Sequence, residues 1–559
     1  MKRAGTMPLA AAPAPQQPAG RAGLPRAWRN VLAIALTQAL VSGAFAQRDD
    51  NASGRRIYLE GRTASGEVTA NRAGSMQIEG AAAACVNCHR RSTLGGAEGR
   101  SYVPPIDAQA LFSAKAPGTG AAAAGIGRAA YTETTLHRAL GEGIDPSGRQ
   151  LDYLMPRYAL DAEQVRSLMA YLREVSDAPV AGIDDSAVHL ATVVAGDVSP
   201  EQRRITRDTL QACVAEHNAG PPAEGRRKRL AQHIGPALPR PWTLHVWELS
   251  GAAQTWDAQL RAHAQRQPVF AMLGGVLGTG PGDDWAPVHQ FCEREAMPCL
   301  YPHLEMPPTA QDGFYALYTS GGVRLEAALI AHHLHAQTPR RVVQWLRGND
   351  STARVAAQAL SDALRGQGFD VLQRRIEDVA PMEGVREGNS MGIDAPQVLW
   401  LRADDLLRFG SVALNSSPAL YLSSSLLGHE LHRVPGGLRR DALVASPHEV
   451  AQARVARTRQ LTAWLAKQRL SLHSEALQAD AYLACDALRH GMNEVTQRPG
   501  ADYLIERLEA LTERRGFAGF YPRLSLGNGQ RVASKTGYLV RFSRPGTNDV
   551  EPLGDAVAP

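Results

Sequence analysis

Short apolar runs alternate with stretches of helical length through the C-terminal two thirds of this 559-residue chain. VHLATVVAG (188–196), TLHVWELS (243–250), VFAMLGG (269–275), RVVQWL (341–346), QVLWLR (397–402) and ALYLSS (419–424) read as strands. Between them lie SPEQRRITRDTLQACVAEHNAG, WDAQLRAHAQRQ, WAPVHQFCEREAM, VRLEAALIAHHLHAQ and STARVAAQALSDALRGQGF, which read as amphipathic helices. Strands alternating with helices of this length predict βαβ units and parallel sheets. The pattern runs through twice, which predicts two α/β lobes. Residues upstream of Asp177-Ala178-Pro179 have a different texture and predict a separate, smaller domain.

The first 46 residues fit neither domain. Lys2, Arg3, Arg21, Arg26 and Arg29 stand without any acidic residue, and VLAIALTQALVSGAFA (31–46) ends in Ala44-Phe45-Ala46. That layout predicts a secretory signal peptide cleaved before Gln47. The apolar run is short and is interrupted by Thr37, Gln38 and Ser42, so it is a poor membrane anchor, and no later segment is apolar enough to span a bilayer. The full chain carries 60 Lys+Arg against 55 Asp+Glu. Removing the five basic residues of the leader leaves 55 of each sign, so a basic balance is no argument here for nucleic-acid or membrane binding. Expectation therefore places the mature protein in the periplasm, with 47–182 and 183–559 as its domains.

The chemistry begins at Ala84-Cys85-Val86-Asn87-Cys88-His89. A C-x-x-C-H sequence reads as attachment of a c-type haem. Two thiols three positions apart on a helical turn can each form a thioether to a vinyl group, and the next residue presents its imidazole to the iron. A redox dithiol would not need the histidine, and a zinc site would need a second ligand pair, which is absent nearby. The sixth iron ligand is expected to be Met155, in Leu154-Met155-Pro156-Arg157-Tyr158, just before a terminal amphipathic helix. Met169 recurs with Val165, Leu168 and Leu172 at helical spacing and is expected in the core, while Met76 and His137 are weaker alternatives.

Residues 54–175 resemble a class I cytochrome c domain. GRRIYLEG precedes CVNCH; GGAEGRSYVPPI, TETTLHRALGEGID, LMPRY and DAEQVRSLMAYLREV follow it. The resemblance implies a small all-α domain with one covalent haem c on Cys85 and Cys88. It also implies axial ligands His89 and Met155, with Pro104 and Pro105 lining the haem pocket. An Ala/Gly-rich insertion at 117–127 reads as a flexible surface loop.

Residues 187–542 resemble the type I periplasmic binding proteins, the branched-chain amino acid receptor group of ABC transporters. The resemblance rests on a first strand and helix ending in EHNAG, the loop MLGGVLGTGPG, CLYP, TSGGVRLEAALIAHHL, RRVVQWLRGND, LQADAYLACDALRHGM and YPRLSLGNGQRVASKTGYLVRF. It implies lobes at about 187–320 and 321–440, a return to the first lobe, and a ligand cleft that closes by hinge motion. Thr279, His303, Glu305 and Ser424 would face that cleft, near the carboxyl ends of strands. The hydroxyl-rich anchor of the amino acid receptors is reduced here to Gly278-Thr279, so an amino acid ligand is not implied.

Cys292 and Cys299 are expected to close a small disulfide loop, while Cys213 and Cys485 could pair or stay single. His332, His333 and His335 read as a solvated helix end, and Asp283-Asp284 and Asp404-Asp405 as solvated loops or caps. No nucleophile elbow, Walker loop, zincin or dinucleotide motif occurs, and no enzyme is expected, a peroxidase with an open haem site being the third reading, opposed by the single haem and the available methionine. The leading expectation is a periplasmic electron carrier whose second domain recognises a redox partner, such as a quinoprotein dehydrogenase or a terminal oxidase chain, or a small ligand. The alternative is a ligand-binding sensor whose haem reports redox state.

Overall fold

The computed structural model describes residues 50–98, 101–115, 127–220, 240–280, 282–309, 313–336, 340–378, 395–409, 419–495, 499–515, 520–527, 529–544 and 549–559. The expected leader and most of the Ala/Gly-rich insertion lie outside them. The chain divides into two compact units between Ala178 and Pro179.

In the smaller unit, α1 (50–60) leads into the hairpin β1 (Thr69–Arg72) and β2 (Met76–Glu79), followed by α2 (Val86–His89). A two-stranded ribbon, β3 (Gly96–Glu98) and β4 (Ser101–Val103), precedes α3 (Ala108–Phe112) and α4 (Glu133–Glu142). The short β5 (Arg157–Tyr158) and α5 (Ala162–Asp177) complete it. Reciprocal side-chain caps fix where the last two helices begin, Thr132 with Thr135 and Asp161 with Gln164. Helices α1 and α5 approach so closely at Gly54 that a Cβ there would sit 2.0 Å from the Ser167 carbonyl oxygen.

This unit is not all-α, contrary to expectation. Thr69 faces Glu79 across the hairpin, and Ala70 also faces Tyr158, giving an antiparallel sheet in the order β2-β1-β5. The cause is local. TANRAGSMQIE puts Ala73 and Gly74 at positive φ, 51° and 92°, a reversal that no helix tolerates.

The larger unit contains two parallel sheets. In the first lobe β6 (Val188–Ala195) is followed by α6 (Pro200–Ala219), β7 (Trp242–Leu249) and α7 (Trp256–Arg266). Then come β8 (Ala271–Leu273), β9 (Val276–Leu277), α8 (Ala286–Arg294), β10 (Cys299–Leu300) and β11 (Ala316–Ser320). The second lobe starts at α9 (Val323–Leu334), β12 (Arg341–Leu346), α10 (Ser351–Arg365) and β13 (Asp370–Arg375). It continues through β14 (Gln397–Trp400), α11 (Ala403–Phe409), β15 (Leu420–Ser423) and β16 (Ala442–Ser446). Helices α12 (Ala451–Lys467), α13 (Glu475–Val495) and α14 (Ala501–Arg515) return to the first lobe, and β17 (Val532–Ser534) joins its sheet beside β11. Finally β18 (Tyr538–Phe542) and β19 (Val550–Pro552) add to the second sheet, antiparallel.

The first sheet runs β17-β11-β10-β8-β6-β7 and the second β13-β12-β14-β15-β16-β18-β19. The second lobe therefore does not end near 440, as the resemblance implied. β16 still belongs to it, and the closing segment splits between the lobes because β17 and β18 pair with different sheets. The polypeptide crosses between lobes three times, at Gly321-Gly322, at Pro447–Val450 and between β17 and β18. Strands such as β8, β14 and β15 are buried on both faces, which is why they read as unbroken apolar runs, whereas the edge strand β13 is largely exposed. Leu190 packs toward α6 and α13, whereas Ala191, Val193 and Ala195 pack toward α7 and α8. In the second lobe Val342, Val398, Trp400 and Tyr421 face α9 and α10, while Val343, Trp345, Leu399 and Leu422 face the other side.

Candidate functional site

Two sites emerge, one in each unit. In the smaller unit α2 is a single turn in which the Cys88 and His89 amides donate to the Cys85 carbonyl at 3.3 and 2.9 Å. Neither Cys85 nor Cys88 is in a disulfide, and both sit on that turn. His89 is buried, and its Nδ1–H donates to the Pro104 carbonyl at 3.1 Å. That bond sets the tautomer and ring plane and leaves Nε2 as the ligating atom. Burial also pushes the imidazole down to about 4, so it is neutral near pH 7, as a metal ligand must be. The loop that brings Pro104 there is pinned by Gly95 N–H to the His89 carbonyl and Ile106 N–H to the Thr93 carbonyl. Tyr58 ties down the Arg90 carbonyl at 2.6 Å.

These residues fit a covalent haem c. The competing dithiol reading fits less well, because burial pushes the Cys85 thiol up to about 12, whereas redox-active thiols need a lowered value. No group of three or more metal-ligating side chains forms among the described residues, so a zinc tetrad has no further members there. Met155 is half-buried against the same apolar core as Val86, and Arg157 anchors its carbonyl. Met169 is part of that core, Met76 is 63% exposed, and His137 Nε2–H is bonded to the Leu160 carbonyl. Pro105 lies half-buried beside Pro104 in the loop facing α2.

In the larger unit the four residues expected from sequence to face a cleft sit at strand ends, and the polar groups of His303, Glu305 and Ser424 are engaged with the chain itself. Thr279 is exposed on a loop held by Asp283, whose Oδ2 accepts from the amides of Asp197 at 3.1 Å and Gly280 at 2.9 Å. His303 follows β10 and donates from Nδ1 to Asp480 on α13 at 2.7 Å. Glu305 receives both guanidinium ends of Arg402, at 3.0 and 2.9 Å, while Arg402 Nε reaches Asp350 at 2.7 Å. Arg402 and Asp350 follow β14 and β12 in the second lobe, so this triad joins the two lobes. The two carboxylates hold the guanidinium well above its usual value.

Ser424 shares a 3.0 Å hydrogen bond with His429 Nδ1. Its neighbours are also committed. Ser423 and Ser425 donate hydroxyls to Glu326 on α9, and the Ser425 amide adds a third bond at 2.9 Å. Glu326 is fully buried, and desolvation outweighs these bonds, raising it to about 7.

Sequence reasoning missed Arg402, Asp350, His429, His448, Asp480 and Tyr521, since each meets partners far away in the chain. It also misread Asp405, which is buried and ion-paired with Arg347 rather than solvated, while Asp404 is exposed as expected. Asp283 organises a loop, whereas Asp284 caps α8 through the Ala286 amide at 2.9 Å. The helix-end histidines do not converge. His333 bonds the Tyr421 hydroxyl and His335 bonds Gln367. Disulfides join Cys292 to Cys299 and Cys213 to Cys485.

No family model matches the chain, and no curated protein matches it. Among solved structures, a leucine binding protein from Thermotoga maritima is 12% identical over 66% of this chain and 99% of that one, with a TM-score of 0.45. A fatty acid ABC transporter substrate-binding protein from Thermomonospora curvata is 12% identical over 68% and 94%, with a TM-score of 0.46. A periplasmic binding protein type 1 from Bordetella pertussis is 13% identical over 66% and 100%, with a TM-score of 0.45.

Proposed function

We propose that this protein is an exported small-molecule binding protein of the type I periplasmic kind that also carries one covalent haem c. The observation that supports binding is the convergence of strand-end loops from two parallel sheets, bridged by Glu305 and Arg402 and joined by three crossings. Ligands of α/β sheets bind outside the carboxyl ends of strands, and paired lobes close on them by hinge motion. The serines that could anchor an amino acid are committed to Glu326 and His429, so the ligand is a small polar molecule of another class. Among the described residues no helix is long and apolar enough to cross a membrane.

A ligand that binds only the folded state must stabilise it, by about 2.7 kcal/mol at a hundredfold excess over Kd. Thermal melts of the full chain against a panel of sugars, amines, carboxylates and aromatic acids should find at least one such shift. Absence of any shift, in the wild type and in an Arg402→Gln variant with the bridge released, sinks the binding reading.

A second reading, electron carrier, is favoured by the His89–Pro104 hydrogen bond and by Cys85 and Cys88 standing on one turn outside any disulfide. A haem held by His89 and Met155 would supply one-electron transfer with no open position for a substrate. The chain's own part is to hold His89 neutral and oriented and to bury the attachment turn. Its partner would then be a periplasmic redox protein, such as a quinoprotein dehydrogenase or a member of a terminal oxidase chain. Expressed in a host that matures c-type cytochromes, the protein should keep haem stain through denaturing electrophoresis, and Cys85→Ala/Cys88→Ala should lose it. An unstained wild-type band would overturn the haem assignment for both readings.

A further inference from the structure

Behind the Glu305–Arg402 bridge, the two lobes meet through a row of aromatic and imidazole rings. Ring centroids of His303 and His429 are 6.4 Å apart, those of His429 and His448 4.2 Å, and those of His448 and Tyr521 4.9 Å. His303 and Tyr521 belong to the first lobe, His429 to the loop after β15 in the second, and His448 to the second crossing. The row is thus first lobe, second lobe, hinge, first lobe. His429 occupies a left-handed backbone conformation, φ 61°, a strain that a non-glycine residue accepts only where its surroundings impose it.

We propose that the stacked His429–His448 pair is a proton-operated latch, which holds the lobes together while neutral and releases them when protonated. The groups facing it leave little room for added positive charge. Asp480 is the carboxylate of the row, and both its oxygens are taken, one by His303 Nδ1 at 2.7 Å and one by the Tyr521 hydroxyl at 2.9 Å. Arg454 on α12 contributes a cation that disfavours imidazolium at both rings, and its own partner is Glu475 at 2.6 Å. Glu449, next to His448, points its carboxylate to the Tyr538 hydroxyl at 3.4 Å. Glu326, below Ser424, is enclosed by Ser423 and Ser425. Two imidazolium rings 4.2 Å apart would repel each other as well.

Burial pushes His429 down to about 3, and His448 well below the usual histidine range; His303 and Arg454 lower both rings, and His429 lowers His448 further. Opening the cleft returns both to solvent, where a histidine titrates near 6.5. Protons therefore bind the open form in preference. Below about pH 6.5 the open-to-closed ratio should rise up to tenfold per pH unit for each ring released.

The test uses the full chain with donor and acceptor dyes on azide-bearing amino acids at Ala262 in α7 and Gln358 in α10, both exposed. Without any ligand, energy transfer should stay high at pH 7.5 and fall progressively between pH 6.5 and 5, while circular dichroism stays constant. His429→Asn, which tolerates the left-handed backbone, and His448→Phe should each halve the slope, and together abolish it. Glu326→Gln should leave it unchanged, separating the latch from the nearby carboxyl. A wild type indifferent to pH, or an undiminished response in either single variant, overturns the proposal. Because no ligand is added, this result stands or falls apart from the binding reading.

Discussion

Arg402 holds both carboxylate oxygens of Glu305, at 3.0 and 2.9 Å, across the boundary between the two lobes. The side chains are 28% and 21% exposed, so the pair is partly desolvated and its loss leaves a carboxylate without its cation. Arg402→Ala should cost about 1–3 kcal/mol in urea unfolding. A double-mutant cycle with Glu305→Gln should return a coupling of about 1 kcal/mol. A coupling near zero would mean that the bridge is incidental.

Glu326 makes the stability of the second lobe depend on pH in a direction opposite to ordinary salt-bridged carboxylates. Its folded value is raised to about 7 by burial, above the unfolded carboxylate value near 4.3, so the folded state binds the proton more tightly. The contribution is fully present below the unfolded value and is lost as pH rises through the folded one. Glu326→Gln should therefore flatten the melting temperature between about pH 4.5 and 7, with stability at pH 7 preserved or raised. Parallel pH profiles for variant and wild type would refute this.

The disulfides should differ in what they contribute. Cys213 and Cys485 are 272 positions apart, and Cys292 and Cys299 only 7. Loop-closure entropy gives about 6 kcal/mol for the long loop and about 2 for the short one. Paired alanine variants, unfolded in guanidinium without reductant, should rank in that order.

Met155 and Met169 should respond in different ways to truncation. Met169→Ala empties a buried position in the smaller unit's core and should cost about 2–5 kcal/mol. Met155→Ala should cost little stability, but should remove the methionine–iron charge-transfer band from the oxidised spectrum and let cyanide bind readily. If Met169→Ala removes the band instead, the axial assignment moves to that residue.

That Cys85, Cys88 and His89 share one turn was legible because the three lie within five positions of each other. The strand–helix alternation of the larger unit was legible for a similar reason, since apolar runs covered on both faces leave a periodic trace. The hairpin at Thr69–Glu79 was not, because a turn of Ala and Gly between short polar strands carries almost no apolar signal.

By itself the sequence determined which residues could carry chemistry at Cys85, Cys88 and His89, and that the rest of the chain is built from repeated strand–helix units. It also placed His303, Glu305, Thr279 and Ser424 at strand ends. Only the tertiary structure decided what those side chains do. Glu305 meets Arg402 across 97 positions, and His303 meets Asp480 across 177. Such pairings arise when three crossings bring the strand-end loops of two sheets together, and nothing in the local pattern of either residue encodes the other. His303, Glu305 and Ser424, expected to face an open cleft, are in the folded protein bonded to Asp480, Arg402 and His429.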